Sequence, residues 1–296
     1  MKTLIKTIVL LSFAVSSLTF SNGVSANSGE HFEKAKIDMN NYGSLQNGAK
    51  LFVNYCLGCH SLKYQRYERL ATDLHIPPEI VTKNLMFTAN KIGETMSINM
   101  PAEDAAKFFG TTPPDLSLIT RAKGVDYIYA YLRGFYQDDT RPFGVNNTAF
   151  DMVAMPHVLE SLQGLQRKSD EAVFQESIIH ESHSKINAIF ARLDKEGADT
   201  AKLKREKAEA EEASHKAVEA IANLKHEGKY FQLVHKGEMS PEEFDNAMLD
   251  LVNFLSYVSE PVKAKRIAMG VWVILFLILL FIVTYLLKKE YWKDVH

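Results

Sequence analysis

Cysteine is scarce in this chain of 296 residues: Cys56 and Cys59 are the only two. That supply excludes a disulfide-stapled scaffold and a four-cysteine zinc site. An excess of one charge is also missing. Lys and Arg number 34 against 36 Asp and Glu, a net charge of −2, so there is no basic footprint for nucleic acid. The chain has no phosphate-cradling glycine loop, no internal repeat at a solenoid period and no Ser-His-Asp pattern. It also lacks the βαβ setting expected around a thioredoxin-type dithiol. Nucleotide enzymes, hydrolases and disulfide oxidoreductases are therefore poor readings.

What the chain does have is Cys56-Leu57-Gly58-Cys59-His60. A C-x-x-C-H run is a site of covalent haem attachment. Each thiol adds across one porphyrin vinyl group, so the two sulfurs must lie about one helical turn apart. Positions i and i+3 share a helix face. His60 follows the second thioether and is placed to be the proximal iron ligand. One covalent haem c is the expected cofactor. Both cysteines are committed to it, so no disulfide is expected.

Two apolar runs bracket the chain. Near the start, Lys2 and Lys6 precede an apolar stretch at 8–20 and the small residues Val24-Ser25-Ala26. That is the pattern of a cleaved secretory signal. No Arg-rich, acidic-poor transit segment is present, which favours a bacterial envelope over organelle import. Near the end, residues 267–287 carry no charge and are enough to span a bilayer. Lysines flank both sides, so orientation follows from the signal: an exported body, a stop-transfer helix and a cytoplasmic tail. The expected location is a bacterial inner membrane, single-pass, with the haem domain in the periplasm.

Between these runs, residues 44–55 read as a helix leading into the haem motif. Pro77-Pro78, Pro101, Pro113-Pro114 and Pro142 imply helices joined by long loops. The sixth iron ligand has five candidates: Met96, Met100, Met152, Met155 and His157. A Met thioether favours ferrous iron and raises the potential. Met155 and Met100 both precede a proline, which holds the residue before it extended; spacing alone does not choose between them. Ser240-Pro241-Glu242-Glu243 is a helix start of the capping-box type, followed by Phe244, Met248, Leu251, Val252 and Leu255 on one apolar face.

Residues 163–229 are highly charged and helical in type. Phe174, Ile178, Ile186, Ile189 and Leu193 recur near helical spacing; Gly197 can end that helix and Asp199 or Thr200 can cap the next. Leu203, Ala210, Ala217 and Leu224 then recur every seventh position, a thin coiled-coil seam. An antiparallel helical hairpin is expected, either a solvated insertion or a docking arm. His180 and His183, with Glu176 nearby, read as a solvated face rather than a metal site.

Several runs resemble the cytochrome c1 family, the haem subunits of quinol–cytochrome c reductases (cytochrome bc1 complexes). They are NYCLGCHSLKYQRY from Asn54, PPDLSLITRAKGVDYIYAYLRGFY from Pro113, RPFGVNN from Arg141, VAMPHVL from Val153 and DLVNFLSYVSEP from Asp250, with the anchor and its KKEYWKDVH tail. The resemblance implies a mainly α fold: a cytochrome-c-like haem domain with long loops, an inserted charged helical hairpin and one C-terminal transmembrane helix. It implies Cys56 and Cys59 as thioether residues, His60 and Met155 as axial ligands, and Tyr127 as a propionate partner. The basic propionate position falls on Lys123, a departure from the family's Arg, with Arg121 as a substitute. Lys cannot give the bidentate fork that Arg gives a carboxylate.

The organisation expected is a signal peptide over 1–26, a haem domain over 27–162, the hairpin over 163–229, a closing helix over 230–262, the anchor over 263–288 and a tail over 289–296. The implied function is single-electron transfer from a Rieske iron–sulfur protein to a soluble or membrane cytochrome c, beside cytochrome b and membrane lipid, with no bond chemistry on this chain. Glu103, Asp104, Asp138 and Asp139 are available as acidic docking groups. The alternatives are a cytochrome feeding an oxidase and a haem-based sensor.

Overall fold

The structure, a computed structural model, describes residues 32–193 and 199–293. The expected signal peptide, Gly197 and the last three residues lie outside the described residues.

The fold is mainly helical, as expected. Helix α1 (Tyr42–Tyr55) starts where the Asn41 side chain accepts a hydrogen bond from the Ser44 amide at 3.1 Å. It buries Leu45, Ala49 and Phe52 against α10 (Pro241–Ser259). The two backbones meet at Gly48. A Cβ there would lie 2.1 Å from the Asp250 carbonyl oxygen and 2.6 Å from the Phe254 Cβ, so only glycine permits the crossing. Around it, Asn47 Nδ2 donates to Asp250 Oδ2 at 2.8 Å. Asn253 Nδ2 donates to the Asp38 carbonyl at 2.7 Å and to Ser44 Oγ at 3.0 Å. Phe52 and Phe254, both fully buried, place their rings 5.9 Å apart. Burial of each such ring contributes about 1.5–3 kcal/mol.

The segment between them is made of short elements: β1 (Leu62–Arg66), α2 (Tyr67–Asp73), α3 (Pro78–Asn84), β2 (Thr95–Met96), α4 (Ala102–Phe109), α5 (Ile119–Lys123), α6 (Val125–Arg133), β3 (Phe135–Gln137), β4 (Val145–Asn147) and α7 (Glu160–Gln163). Strands β1 and β2 pair antiparallel, as do β3 and β4. Helix α10 closes over these elements. Its Ser240 forms the expected capping box with Glu243. Tyr257 donates to Asp73 Oδ2 at 2.7 Å, and Thr120 Oγ1 donates to Ser259 Oγ at 2.8 Å. Arg133 grips Asp245 through two nitrogens, at 2.6 and 3.0 Å, and Glu33 at 2.6 Å, over the Tyr129 ring. That bidentate fork ties the end of α6 to α10 and to the N-terminal segment.

The hairpin has more structure than its sequence suggests. Its arms are α8 (Asp170–Leu193) and α9 (Thr200–His226). Beneath them β5 (Gly164–Lys168) and β6 (Phe231–Lys236) pair antiparallel, with Lys168 opposite Phe231. The expected hairpin boundaries cut through this ladder. Gly164 sits at φ +83, where a Cβ would strike the His235 carbonyl. In α9 the expected seam residues Leu203, Ala210 and Ala217 are buried. In α8 the expected face holds for Ile189, which is buried, and for Ile178, Ile186 and Leu193, which are half-buried; Phe174 departs from it at 57% exposed, and the small residues Ala172 and Ser182 are buried. Asp199 caps α9, accepting from the Lys202 amide at 3.0 Å.

At the root of the hairpin, Lys168 pairs with Glu176 at 2.7 Å and lies over the Tyr136 ring, while the Tyr230 hydroxyl donates to Glu176. Burial is the largest single influence on the Lys168 ammonium and lowers it, but the hydrogen bond and charge of Glu176 together with Tyr136 outweigh it and hold the group above its ordinary range. Glu176 is thus engaged by Lys168 and Tyr230, while His180 and His183 are exposed.

Helix α11 (Lys263–Tyr291) runs three residues past the expected anchor boundary. Within its 27-residue stretch Lys265–Tyr291 an 18-residue window reaches a mean hydropathy of 3.0, and none of that window is buried in the protein. At 1.5 Å per residue it is about 40 Å long, enough to cross a hydrocarbon core of about 30 Å. It fits a single-pass membrane anchor.

Candidate haem-binding site

Cys56 is the C-cap of α1, its amide bonded to the Phe52 carbonyl at 2.9 Å. The chain then turns tightly. The Cys59 and His60 amides both donate to the Cys56 carbonyl, at 3.0 and 2.8 Å. This turn brings two thiols and one imidazole together, and both cysteines are free. Burial, and then the neighbouring Cys59, push the Cys56 thiol up to about 12, so it stays a neutral thiol.

The His60 ring is fixed from the PPDLS segment. Its Nδ1 lies 2.7 Å from the Pro114 carbonyl oxygen. A carbonyl can only accept, so Nδ1 carries the proton and Nε2 keeps its lone pair. Burial lowers the imidazole pKa, against the pull of Pro114 and of Asp115. Asp115 in turn pins the loop. Its carboxylate accepts from the Lys63 and Ser117 amides, each at 2.9 Å.

The five distal candidates separate. Met96 is fully buried in the main core, paired with Leu62 on β1. Met152 is 65% exposed, at a left-handed φ of +58. Met100 is half-buried at the loop before α4. His157 is buried, its ring stacked on Phe135 at 4.9 Å, and burial pushes its imidazole down to about 4. Met155 packs with Tyr131 against the cluster of Phe135, Val145 and Val153. Its sulfur accepts a hydrogen bond from the Tyr131 hydroxyl at 3.5 Å. Tyr131 also packs against the main core that holds Cys56 and Leu57.

Helix α6 places Tyr127 and Tyr131 on one face, one turn apart, with rings stacked at 6.2 Å. Lys123 Nζ stands 5.9 Å from the Tyr127 ring centre, so these two expected propionate partners lie together. Arg121 does not join them. It is exposed on α5 and helps to hold the Glu260 carboxylate below its usual range, behind Arg266. Gly124, at φ +89, turns the chain between α5 and α6. The sequence reading did not single out the Pro114 carbonyl or Tyr131. The i, i+4 repeat of tyrosines from Tyr127 was the available signal for the second.

The acidic candidates serve local structure. Glu103 and Asp104 occupy the first turn of α4, where carboxylates complement the helix dipole. Asp138 accepts from Thr140 and Asn146 in the β3–β4 turn, which lowers its carboxyl, and Asp139 accepts from Gln137 at 3.1 Å.

The donor set suits a haem: two thiols and an imidazole presenting Nε2 on one segment, with a soft thioether on another. Comparison with known proteins agrees. The Cytochrome C1 family model matches residues 32–295. Cytochrome c1 of Allochromatium vinosum is 41% identical over 295 residues, covering 100% of this chain and 99% of that protein. A protein named ammonia monooxygenase gamma subunit, of Nitrosomonas europaea, is 35% identical over 97% of this chain and 99% of its own length. Cytochrome b/c1 of Bradyrhizobium diazoefficiens is 26% identical over 86% of this chain and 34% of that longer protein. With a match running from the first described residue into the membrane helix, the chain belongs to the cytochrome c1 family, whose members are haem-containing electron-transfer subunits of bc1 complexes.

Proposed function

We propose that this protein carries single electrons from a Rieske iron–sulfur protein to a soluble cytochrome c within a membrane quinol–cytochrome c reductase. The observation that carries the reading is the His60–Pro114 pair beside two free thiols. Together they make a covalent attachment site with a pre-oriented imidazole. A haem c, when bound, supplies the one-electron couple. Cys56 and Cys59 fix it covalently, and His60 Nε2 and the Met155 sulfur hold the iron. Tyr127 and Lys123 are the better-placed partners for the propionates; Arg121 faces the membrane end. None of these residues needs to move a proton for the electron to pass.

The body of the protein lies in a bacterial periplasm, α11 crosses the inner membrane and the tail lies in the cytoplasm. Cytochrome b is the neighbour of the anchor, in contact with membrane lipid. The name of the Bradyrhizobium relative, which joins b and c1 in one protein, supports that pairing. Electron transfer to a diffusing partner uses a small, quickly dissociating interface, with charge mainly setting the on-rate.

The test is co-purification of the tagged chain from membranes in mild detergent. Cytochrome b and a Rieske protein in equal amounts are the expected companions. Recovery alone, or with an oxidase, overturns the proposal.

A further inference from the structure

Tyr131 bridges the two apolar clusters of the haem-binding region, and several contacts hold it there. Its carbonyl accepts from Asn147 Nδ2 at 2.7 Å. Its ring stacks on Tyr127 and meets Phe135 edge-on, with centres 5.4 Å apart. Asn147 is itself buried and belongs to β4. The hydroxyl is therefore delivered to the Met155 sulfur, 3.5 Å away, by a rigid ring on a packed helix rather than by a mobile side chain.

A thioether sulfur has two lone pairs, so it can bind a metal with one and accept an O–H with the other. We infer that Tyr131 is a positioning residue of the electron-carrying site, whose hydroxyl fixes the Met155 sulfur and draws electron density from it. The inference rests on the reading of Met155 as the distal ligand. A Met ligand already favours ferrous iron, and hydrogen bonds to the ligands tune that preference further. A sulfur that is sharing density with a donor gives less to ferric iron, which needs it more. The Tyr131 hydroxyl thus raises the reduction potential.

The spacing gives the helix a second consequence. Tyr127, the propionate candidate, and Tyr131 are stacked neighbours on α6. One helix face therefore aligns groups for the propionate edge and for the distal ligand, and a shift of α6 moves both together.

The test is Tyr131→Phe in the full-length, haem-loaded chain within its membrane complex. Phe keeps the ring and its stacking and removes the donor alone. Two quantities are read: the midpoint potential and the far-red sulfur-to-iron charge-transfer band of the ferric protein. The expected result is a retained but shifted band and a lower midpoint. The reduced fraction at fixed potential falls about fivefold, on the scale of one neutral hydrogen bond, or ~40 mV at 59 mV per tenfold for one electron. Tyr131→Leu, which also removes the ring, is expected to lower the midpoint similarly and the melting temperature as well. A packing role alone would lower the melting temperature and leave the midpoint in place. An unchanged Tyr131→Phe midpoint with the band present overturns the inference and leaves Met155 as ligand. Absence of the band in the unmodified protein overturns both.

Discussion

The Nδ1 atom of His60 lies 2.7 Å from the carbonyl oxygen of Pro114, 54 residues further along the chain. The Cys-x-x-Cys-His turn supplies the ring, and the PPDLS loop sets its tautomer and its rotation. Two segments that look like separate motifs in the sequence are one device in space.

Asp115 holds that device. Its carboxylate accepts two backbone amides, from Lys63 and Ser117. Asp115→Ala leaves both donors without their partner and frees the loop that carries Pro114. The expected loss is about 1–3 kcal/mol, read as a lower melting temperature of the haem-loaded protein. Asp115→Asn, which keeps one acceptor oxygen, is expected to lose less.

The distal assignment is tested by pairing two methionines. Met155→Ala opens the sixth coordination position, so the ferrous protein binds carbon monoxide and the midpoint falls. Met100→Ala, at the other Met-Pro step, is expected to leave the visible spectrum unchanged. The reverse pattern would exchange the two assignments.

Gly48 sets how closely α1 and α10 approach. A methyl there meets the Asp250 carbonyl at 2.1 Å, which is backbone and cannot swing aside. Gly48→Ala is expected to destabilise the protein by about 1–3 kcal/mol, the range for overpacking. Thermal unfolding measures it. No change would mean that the helices separate at little cost.

The hairpin can be removed without cutting its strand ladder. Deleting 169–230 and joining Lys168 to Phe231 through Asn-Gly closes β5 and β6 with a two-residue turn. Normal assembly and turnover would make α8 and α9 a solvated insertion; loss of assembly would make them a docking arm. The cruder deletion of 165–228 also removes Gln166, which donates to the Arg133 and Phe135 carbonyls at 3.0 and 2.7 Å. It is expected to destabilise the domain for that reason alone.

Local chemistry made much of this legible in the sequence. The Ser240 capping box, the Asp199 cap, the α9 seam and the apolar anchor each depend on residues close together in the chain, and each stands where its pattern indicated. The β5–β6 ladder did not show because β5 carries one large apolar residue, Leu165, and its partner strand lies across the whole hairpin. In α8 the apolar spacing found the buried Ile189 but also counted Phe174, which lies off the face that carries Ala172, Ser182 and Ile189. At the candidate site, the motif identified the thiols and the imidazole. The Pro114 carbonyl is a backbone atom that any residue carries. Arg121 and Lys123 look interchangeable by charge, but the short α5 helix faces them in different directions.

The central claim is that His60 and Met155 hold the iron of a one-electron carrier inside a quinol–cytochrome c reductase. The most direct measurement is a potentiometric titration of the purified membrane complex, followed by its redox-difference spectrum and then exposure of the reduced complex to carbon monoxide. The account expects a high-potential c-type haem that does not take carbon monoxide, titrating alongside b-type haems and a Rieske signal. A c-type haem alone, at low potential and binding carbon monoxide readily, would contradict it.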